Sequence, residues 1–267
     1  MFQEVSVRSQ EGLKKDLVAV EEPLAITLIQ ERAEGCEEHP FAITMRTPGN
    51  DYELVMGLLF TEGVVSAASD VQAMACLEGD ENVMTVRLLP SVAIDPDLFR
   101  RSVTATSACG LCGRVAIDNL LADYPKAVWS LPPLKASLLC QLPSVAQEAQ
   151  ELFRTTACAH SSALFDPHGR LIKLFEDVGR HNAMDKLIGW AAINDQLPLE
   201  NRIALCSGRL AFELVQKSAR AGIPILAAVG APTSLAVELA ERTGITLVGF
   251  LRQDRFNVYA HSERISC

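Results

Sequence analysis

The chain has 267 residues, nearly half of them hydrophobic, and a formal net charge of −9. That length suits one large domain or two small ones, with a core that forms without staples. The acidic balance argues against non-specific nucleic-acid binding by the whole surface, and no apolar run approaches the ~20 residues of a membrane span.

The N-terminus, Met1-Phe2-Gln3-Glu4-Val5, is mixed and polar. It has no basic segment followed by an apolar one, so a secretory signal is not expected and a cytoplasmic home is. In that reducing compartment most of the eight cysteines should be free thiols.

In chain order, residues 24–29 and 41–45 read as strands. Residues 52–62 read as a helix, opened by Asn50 or Asp51 and closed by Gly63. Residues 83–89 read as a strand and 113–122 as a helix, before Leu131-Pro132-Pro133 breaks regularity. A soft boundary falls between 130 and 150. It divides an N-terminal α+β portion, residues 1–148, from an α/β core, residues 149–267.

The core is more periodic. Residues 161–164 and 171–175 read as strands around the turn Asp166-Pro167-His168-Gly169. Met184, Leu187, Ile188 and Ala191 then form one helical stripe. Residues 202–205 read as a strand, Ser207-Gly208 as a turn and 209–221 as a helix ending at Gly222. The apolar run 224–229 reads as a strand buried on both faces. Pro232 suits the first turn of a helix with Leu235 and Leu239 inward and Gly244 at its end. Residues 245–250 form another buried strand. Strands alternating with helices predict a mainly parallel sheet.

Four segments can carry chemistry. The first is Thr106-Ser107-Ala108-Cys109-Gly110-Leu111-Cys112-Gly113-Arg114. Two thiols at this spacing can share one face of a tight turn or first helical turn, where helix donors and Arg114 favour thiolate. Four readings compete here. They are a zinc site, which lacks two further ligands; a thioredoxin-like redox pair without the usual flanks; buried structural thiols; and a sulfur relay on a flexible loop.

The second segment is Glu176-Asp177-Val178-Gly179-Arg180-His181-Asn182, directly before an amphipathic helix. His181 is a base, ligand or donor in one reading and a satisfied neighbour of a helix cap in the other. The third is the pair of turns holding Ser207, Gly208 and Arg209 and, after the next strand, Thr233 and Ser234. Such turns lie where open parallel sheets bind ligands and where helix N-termini accept anions; the competing reading is ordinary capping. The fourth is Phe250, Leu251, Arg252, Gln253, Asp254 and Arg255, whose arginines suit phosphate or pterin recognition or simply face solvent.

Taken together, these segments resemble the formate dehydrogenase accessory sulfurtransferase family, FdhD. The matching stretches are Thr44-Met45-Arg46-Thr47-Pro48-Gly49, Cys109-Gly110-Leu111-Cys112-Gly113, Glu176-Asp177-Val178-Gly179-Arg180-His181-Asn182-Ala183, Ala221-Gly222-Ile223-Pro224-Ile225-Leu226 and Phe256-Asn257-Val258-Tyr259. They cover nearly the whole chain in the family's order.

The resemblance implies a sulfur carrier that takes persulfide sulfur from a cysteine desulfurase. It passes that sulfur to the bis-guanylated molybdenum cofactor (molybdenum bis(molybdopterin guanine dinucleotide)) of formate dehydrogenase. It implies that Cys109 carries the persulfide, that Cys112 assists, and that residues 250–255 contact the cofactor. The topological argument extends that pocket to Ser207, Gly208, Arg209, Thr233 and Ser234. The family's glycine-rich stretch before a histidine reads Thr156-Ala157-Cys158-Ala159-His160 here, which leaves Cys158 a further thiol in the path or a buried filler.

The implied fold is a three-layer, cytidine-deaminase-like core. The His-x-Glu and Pro-Cys-x-x-Cys segments of a zinc deaminase are absent, so no tightly held metal is expected. A homodimer is expected, without nucleic-acid or membrane partners. The rival reading is a non-catalytic chaperone that protects the cofactor or the apo-dehydrogenase, with incidental cysteines.

Overall fold

A computed structural model describes residues 1–10, 12–32, 35–94, 124 and 126–266. It is a mixed α/β protein with two substantial sheets. Strands β1 (Phe2–Ser9) and β2 (Gly12–Ala19) form an antiparallel hairpin. Strands β3 (Glu22–Arg32), β4 (Gly35–Arg46), β5 (Val71–Leu77) and β6 (Asp80–Leu88) form a four-stranded sheet in the order β4-β3-β6-β5. One face of it, including Leu24, Ile26, Leu28, Met84 and Val86, is fully buried.

Helix α1 (Asp51–Glu62) packs into the same hydrophobic cluster as that face. Asn50 opens it in the left-handed conformation, without a side-chain cap bond, and Gly63 closes it at φ 82°. The expected bounds of this helix hold to within a residue.

The second sheet is six-stranded. Its strands are β8 (His160–Phe165), β9 (Leu171–Asp177), β10 (Ile203–Cys206), β11 (Ile225–Ala228), β12 (Thr246–Gly249) and β13 (Asn257–Ala260). Their order is β13-β12-β11-β10-β8-β9. The expectation of a mainly parallel sheet is corrected. Pairs β10–β11 and β11–β12 are parallel, but β8–β9, β8–β10 and β12–β13 are antiparallel. Helices join β9 to β10, β10 to β11 and β11 to β12, but β9 and β10 are not neighbours, because β8 lies between them. The tight turn after β8 and the return of β13 without a helix force antiparallel pairing at both flanks.

Helices α4 (Arg180–Ile193), α5 (Phe212–Arg220) and α6 (Ser234–Thr243) follow β9, β10 and β11. They share a cluster with the sheet residues Leu164, Ala204, Leu226 and Leu247. The alternate sheet residues Ala163, Phe165, Leu205 and Ala227 pack instead with Leu139 and Leu142. Those belong to α2 (Ala136–Ala149), which follows the short strand β7 (Leu134–Lys135) and precedes α3 (Glu151–Thr156). The period of two along each strand thus sends residues to two helical layers. The boundary read between 148 and 149 falls at the end of α2. The larger cluster joins α1 and the four-stranded sheet to the core.

Two helix starts move. The helix expected from residue 209 begins at Phe212, because Leu210 bridges to Pro232. Pro232 lies before α6 rather than in its first turn, and Thr233 caps the helix by accepting the Ala236 N–H. The expected helix over 113–122 lies outside the described residues.

Helices α1 and α4 cross in backbone contact. A Cβ at Gly57 would lie 1.8 Å from the Asp185 carbonyl oxygen, and one at Gly189 would lie 1.8 Å from that of Glu53. Beside this crossing Lys217 is bonded to Asp185 at 2.8 and 2.9 Å and to Thr61 at 2.8 Å, tying α5 to both helices. Among the described residues no helix is long and apolar enough to cross a membrane.

Candidate functional site

The turns after β10, β11 and β12 meet at the C-terminal ends of these three parallel strands. The Gly230 N–H donates to the Gly208 carbonyl at 3.1 Å and the Phe250 N–H to the Gly230 carbonyl at 3.0 Å. The Leu210 N–H donates to the Ala231 carbonyl, also at 3.0 Å. A Cβ at Gly230 would sit 2.6 Å from the Gly208 oxygen, so glycine is required for this approach.

Beside these turns is a cavity of about 800 Å³, within the range of small-molecule sites, roughly 300–1,000 Å³. Residues 251–255 form one side, His160, Val178 and Ser207 another, and Ser144, Gln147 and Gln150 a third. Leu251 is fully buried and anchors its segment, with its N–H on the Ala228 carbonyl at 3.0 Å. Arg252, Gln253, Asp254 and Arg255 are exposed. The Arg252 Nη1 donates to the carbonyls of Val229 and Leu251 at 2.7 and 2.9 Å, while Gln253 reaches the Ser144 hydroxyl at 2.9 Å. A smaller recess of about 330 Å³ adjoins Phe250, Arg252, Arg255, Phe256 and Asn257. Two guanidiniums therefore serve both spaces, which suits an anionic ligand.

Of the other residues singled out, Ser207 lines the cavity and Gly208 abuts His160. Arg209, Thr233 and Ser234 are exposed and lie outside its walls. Cys109 and Cys112 lie outside the described residues.

The segment from Glu176 to Asn182 divides its labour. Glu176 accepts the N–H groups of Leu152 and Phe153, each at 2.8 Å, at the start of α3. Asp177 is wholly buried and pairs with Lys186 at 2.7 Å. It also accepts from Thr47 N–H at 3.2 Å, Gly179 N–H at 2.8 Å and the Asn182 amide at 3.0 Å. Lys186 and Asn182 donate to the carbonyls of Thr47 and Met45. The stretch from Thr44 to Thr47 is thereby fastened to the core, and these residues act as scaffold.

His181 differs. Its Nε2 is buried without a hydrogen-bond partner among the described residues. Burial, reinforced by Arg180 and Lys217, pushes its pKa down to about 4. Burial and Arg180 also lower that of His160, against the opposing pull of Asp177. Both imidazoles are thus held neutral at pH 7.

The described thiols divide sharply. Burial pushes Cys206 up to about 12 and raises Cys76 and Cys140, so these are poor nucleophiles. Cys36 and Cys158 are exposed, and Cys158 stands in the cavity wall. Among the described residues no group of three or more His, Cys, Asp or Glu could hold a metal ion.

Sequence reasoning missed the wall formed by α2. Its signal was present: Ser144 and Gln147, three residues apart, share one side of the helix, and Gln150 follows at its C-terminal end. Pro143 within that helix hid the period.

Comparison with known proteins places these features in context. The model of the FdhD/NarQ family matches residues 19–266. A Streptomyces coelicolor protein called sulfur carrier protein FdhD is 44% identical over 262 residues, covering 95% of this chain and 90% of its own. One of the same name from Saccharolobus solfataricus is 42% identical, covering 99% and 97%. The crystal structure of a chain described as a formate dehydrogenase accessory protein from Desulfotalea psychrophila superposes with a TM-score of 0.73 at 27% identity. It covers 100% of this chain and 99% of that one.

Proposed function

The chain belongs to the FdhD/NarQ family, and from that premise we propose that it is a sulfur carrier acting in formate dehydrogenase maturation. It works in the cytoplasm, as a homodimer, between a cysteine desulfurase and the bis-guanylated molybdenum cofactor, its acceptor substrate. The strand and helix order from β8 to β12 is the basis for reading the core as cytidine-deaminase-like.

In the first step the Cys109 thiolate attacks the outer sulfur of the desulfurase persulfide. The sulfur–sulfur bond breaks, the desulfurase cysteine leaves as thiolate, and Cys109 carries the persulfide. Cys112 stands ready to relay it. Arg252 and Arg255 hold the phosphates of the acceptor at the wall of the cavity.

The observation that carries this reading is the convergence of Ser207 with residues 251–255 on one cavity of about 800 Å³. Two arginines stand in its wall, and three backbone-linked turns lie beside it.

The test is intact-protein mass spectrometry after incubation with a cysteine desulfurase and cysteine, followed by peptide mapping. One added sulfur on the Cys109 peptide, lost in Cys109→Ala, is expected. With an active desulfurase, no added sulfur at any thiol would sink the carrier reading in favour of the chaperone. Cofactor binding retained by Cys109→Ala alongside lost sulfur transfer separates the two roles further.

A further inference from the structure

Ser207 and His160 form a fixed pair in the cavity wall. Ser207 follows β10, and its backbone N–H donates to the Ser161 carbonyl at 3.0 Å. The Ser161 N–H returns a bond to the Ser207 Oγ at 2.9 Å. That occupies an acceptor position of the hydroxyl. The His160 Nδ1 lies 3.4 Å from the same Oγ, within reach of the hydroxyl's own proton.

An imidazole that accepts at Nδ1 and stays neutral carries its proton on Nε2. Burial and the neighbouring Arg180 favour that neutral form. The ring is also confined. A Cβ at Gly208 would lie 3.3 Å from Nδ1, 3.4 Å from Cε1 and 3.6 Å from the Arg180 Cδ, so Gly208 leaves the space that the imidazole fills. The Nε2 has no hydrogen-bond partner among the described residues. With the Ser207 hydroxyl donating to Nδ1, the wall of the cavity presents one oriented N–H at Nε2.

We propose that His160 is a specificity residue of this cavity, donating from Nε2 to the ring oxo group of a 2-amino-oxo heterocycle, the edge that guanine and pterin share. This rests on the reading of the cavity as the acceptor's binding site. An oxo group accepts such a hydrogen bond, whereas the amino group at the same place on adenine is itself a donor and meets the N–H donor to donor. Asp254 lines the same cavity and is acceptor-only when ionised. It suits the ring N–H and amino donors beside that oxo group. A site built to bond a polar group rejects the analogue that lacks it, because its own polar group is then left unpaired.

The test is calorimetric titration of the full chain with GDP, ADP and free pterin, for the wild type, His160→Ala, His160→Gln and Ser207→Ala. Thermal melts confirm that each variant is folded. The wild type should prefer GDP to ADP. His160→Ala should weaken the oxo ligand about tenfold, the worth of one such bond, without weakening ADP. His160→Gln, which keeps a donor, should recover part of the loss, and Ser207→Ala should fall between.

If GDP weakens, His160 reads the guanine; if pterin weakens and GDP does not, it reads the pterin. Unchanged affinity for both in folded His160→Ala overturns the proposal. If the wild type binds neither GDP nor pterin, the binding-site reading of the cavity fails instead.

Discussion

The two walls of the cavity are built on opposite plans. The inner wall, His160, Val178 and Ser207, stands on strand ends and buried charge. Val178 is held by the Thr47 hydroxyl at 3.2 Å, next to the Asp177–Lys186 pair. The outer wall, residues 252–255, is an exposed loop. Its side-chain ties are Arg252 on two carbonyls and Gln253 on Ser144. The inner wall is positioned before any ligand arrives and bears a cost if altered. On the proposed function, the outer wall would trade its carbonyl contacts for ligand phosphates with little loss of fold. On that same function, the rigid side would fix the shape of the site and the adaptable side would meet the ligand's charge.

The largest break in this contrast should come from Asp177→Ala, which leaves Lys186 buried and uncompensated. A loss of about 3–5 kcal/mol is expected by urea denaturation. Asp254→Ala on the outer wall should stay within about 0.5 kcal/mol. Equal losses would erase the distinction.

Next in size is a pH effect. The pKa of His181 falls to about 4 in the fold against an unfolded value of roughly 6.5. Between these values the unfolded chain binds a proton that the native state refuses. The stability is full above about pH 6.5 and falls as the pH drops towards 4, by up to about 3 kcal/mol. The lowered pKa of His160 adds in the same direction. Denaturation curves at pH 7 and pH 4.5 should converge by that amount for His181→Gln relative to wild type. Parallel pH dependence in the two proteins would contradict the buried, unpartnered state of this ring.

The outer wall should report through ligand instead. Arg252→Ala and Arg255→Ala should each weaken GDP by about 10- to 100-fold, as expected for loss of a charge-assisted bond worth about 1.5–3 kcal/mol. The melting temperature of the free protein should hardly move. The smallest effect belongs to Gln253→Ala, about 1 kcal/mol or less, seen as a slight fall in the denaturation midpoint. A large fall there would mean that the loop is held as firmly as the strands.

Much of the core was legible because its strands are buried on both faces and its helices carry a continuous stripe. Met184, Leu187, Ile188 and Ala191 are all fully buried, as their spacing demands. Strands β1, β2 and β5 escaped notice because they are largely exposed, so burial leaves little alternation to read. β2 carries Lys14, Lys15 and Asp16 in succession. The parallel pairing was overestimated because pattern reveals that a segment is a strand, not which neighbour it pairs with. In the site, Arg252 and Ser207 were legible as chemistry in turns. His160 was not, because the Ser207 hydroxyl that orients it is 47 positions away.

The linked turns after β10, β11 and β12 carry a consequence for how such a protein can diversify. Backbone bonds from Leu210 to Ala231, from Thr233 to Leu210, from Gly230 to Gly208 and from Phe250 to Gly230 make one mesh of three loops. An insertion in any one of them would shift the register of the others. Unlike the independently variable loops of many sheet-edge binding sites, these are expected to keep their lengths. New ligand preferences must then arise by exchanging side chains on a fixed frame.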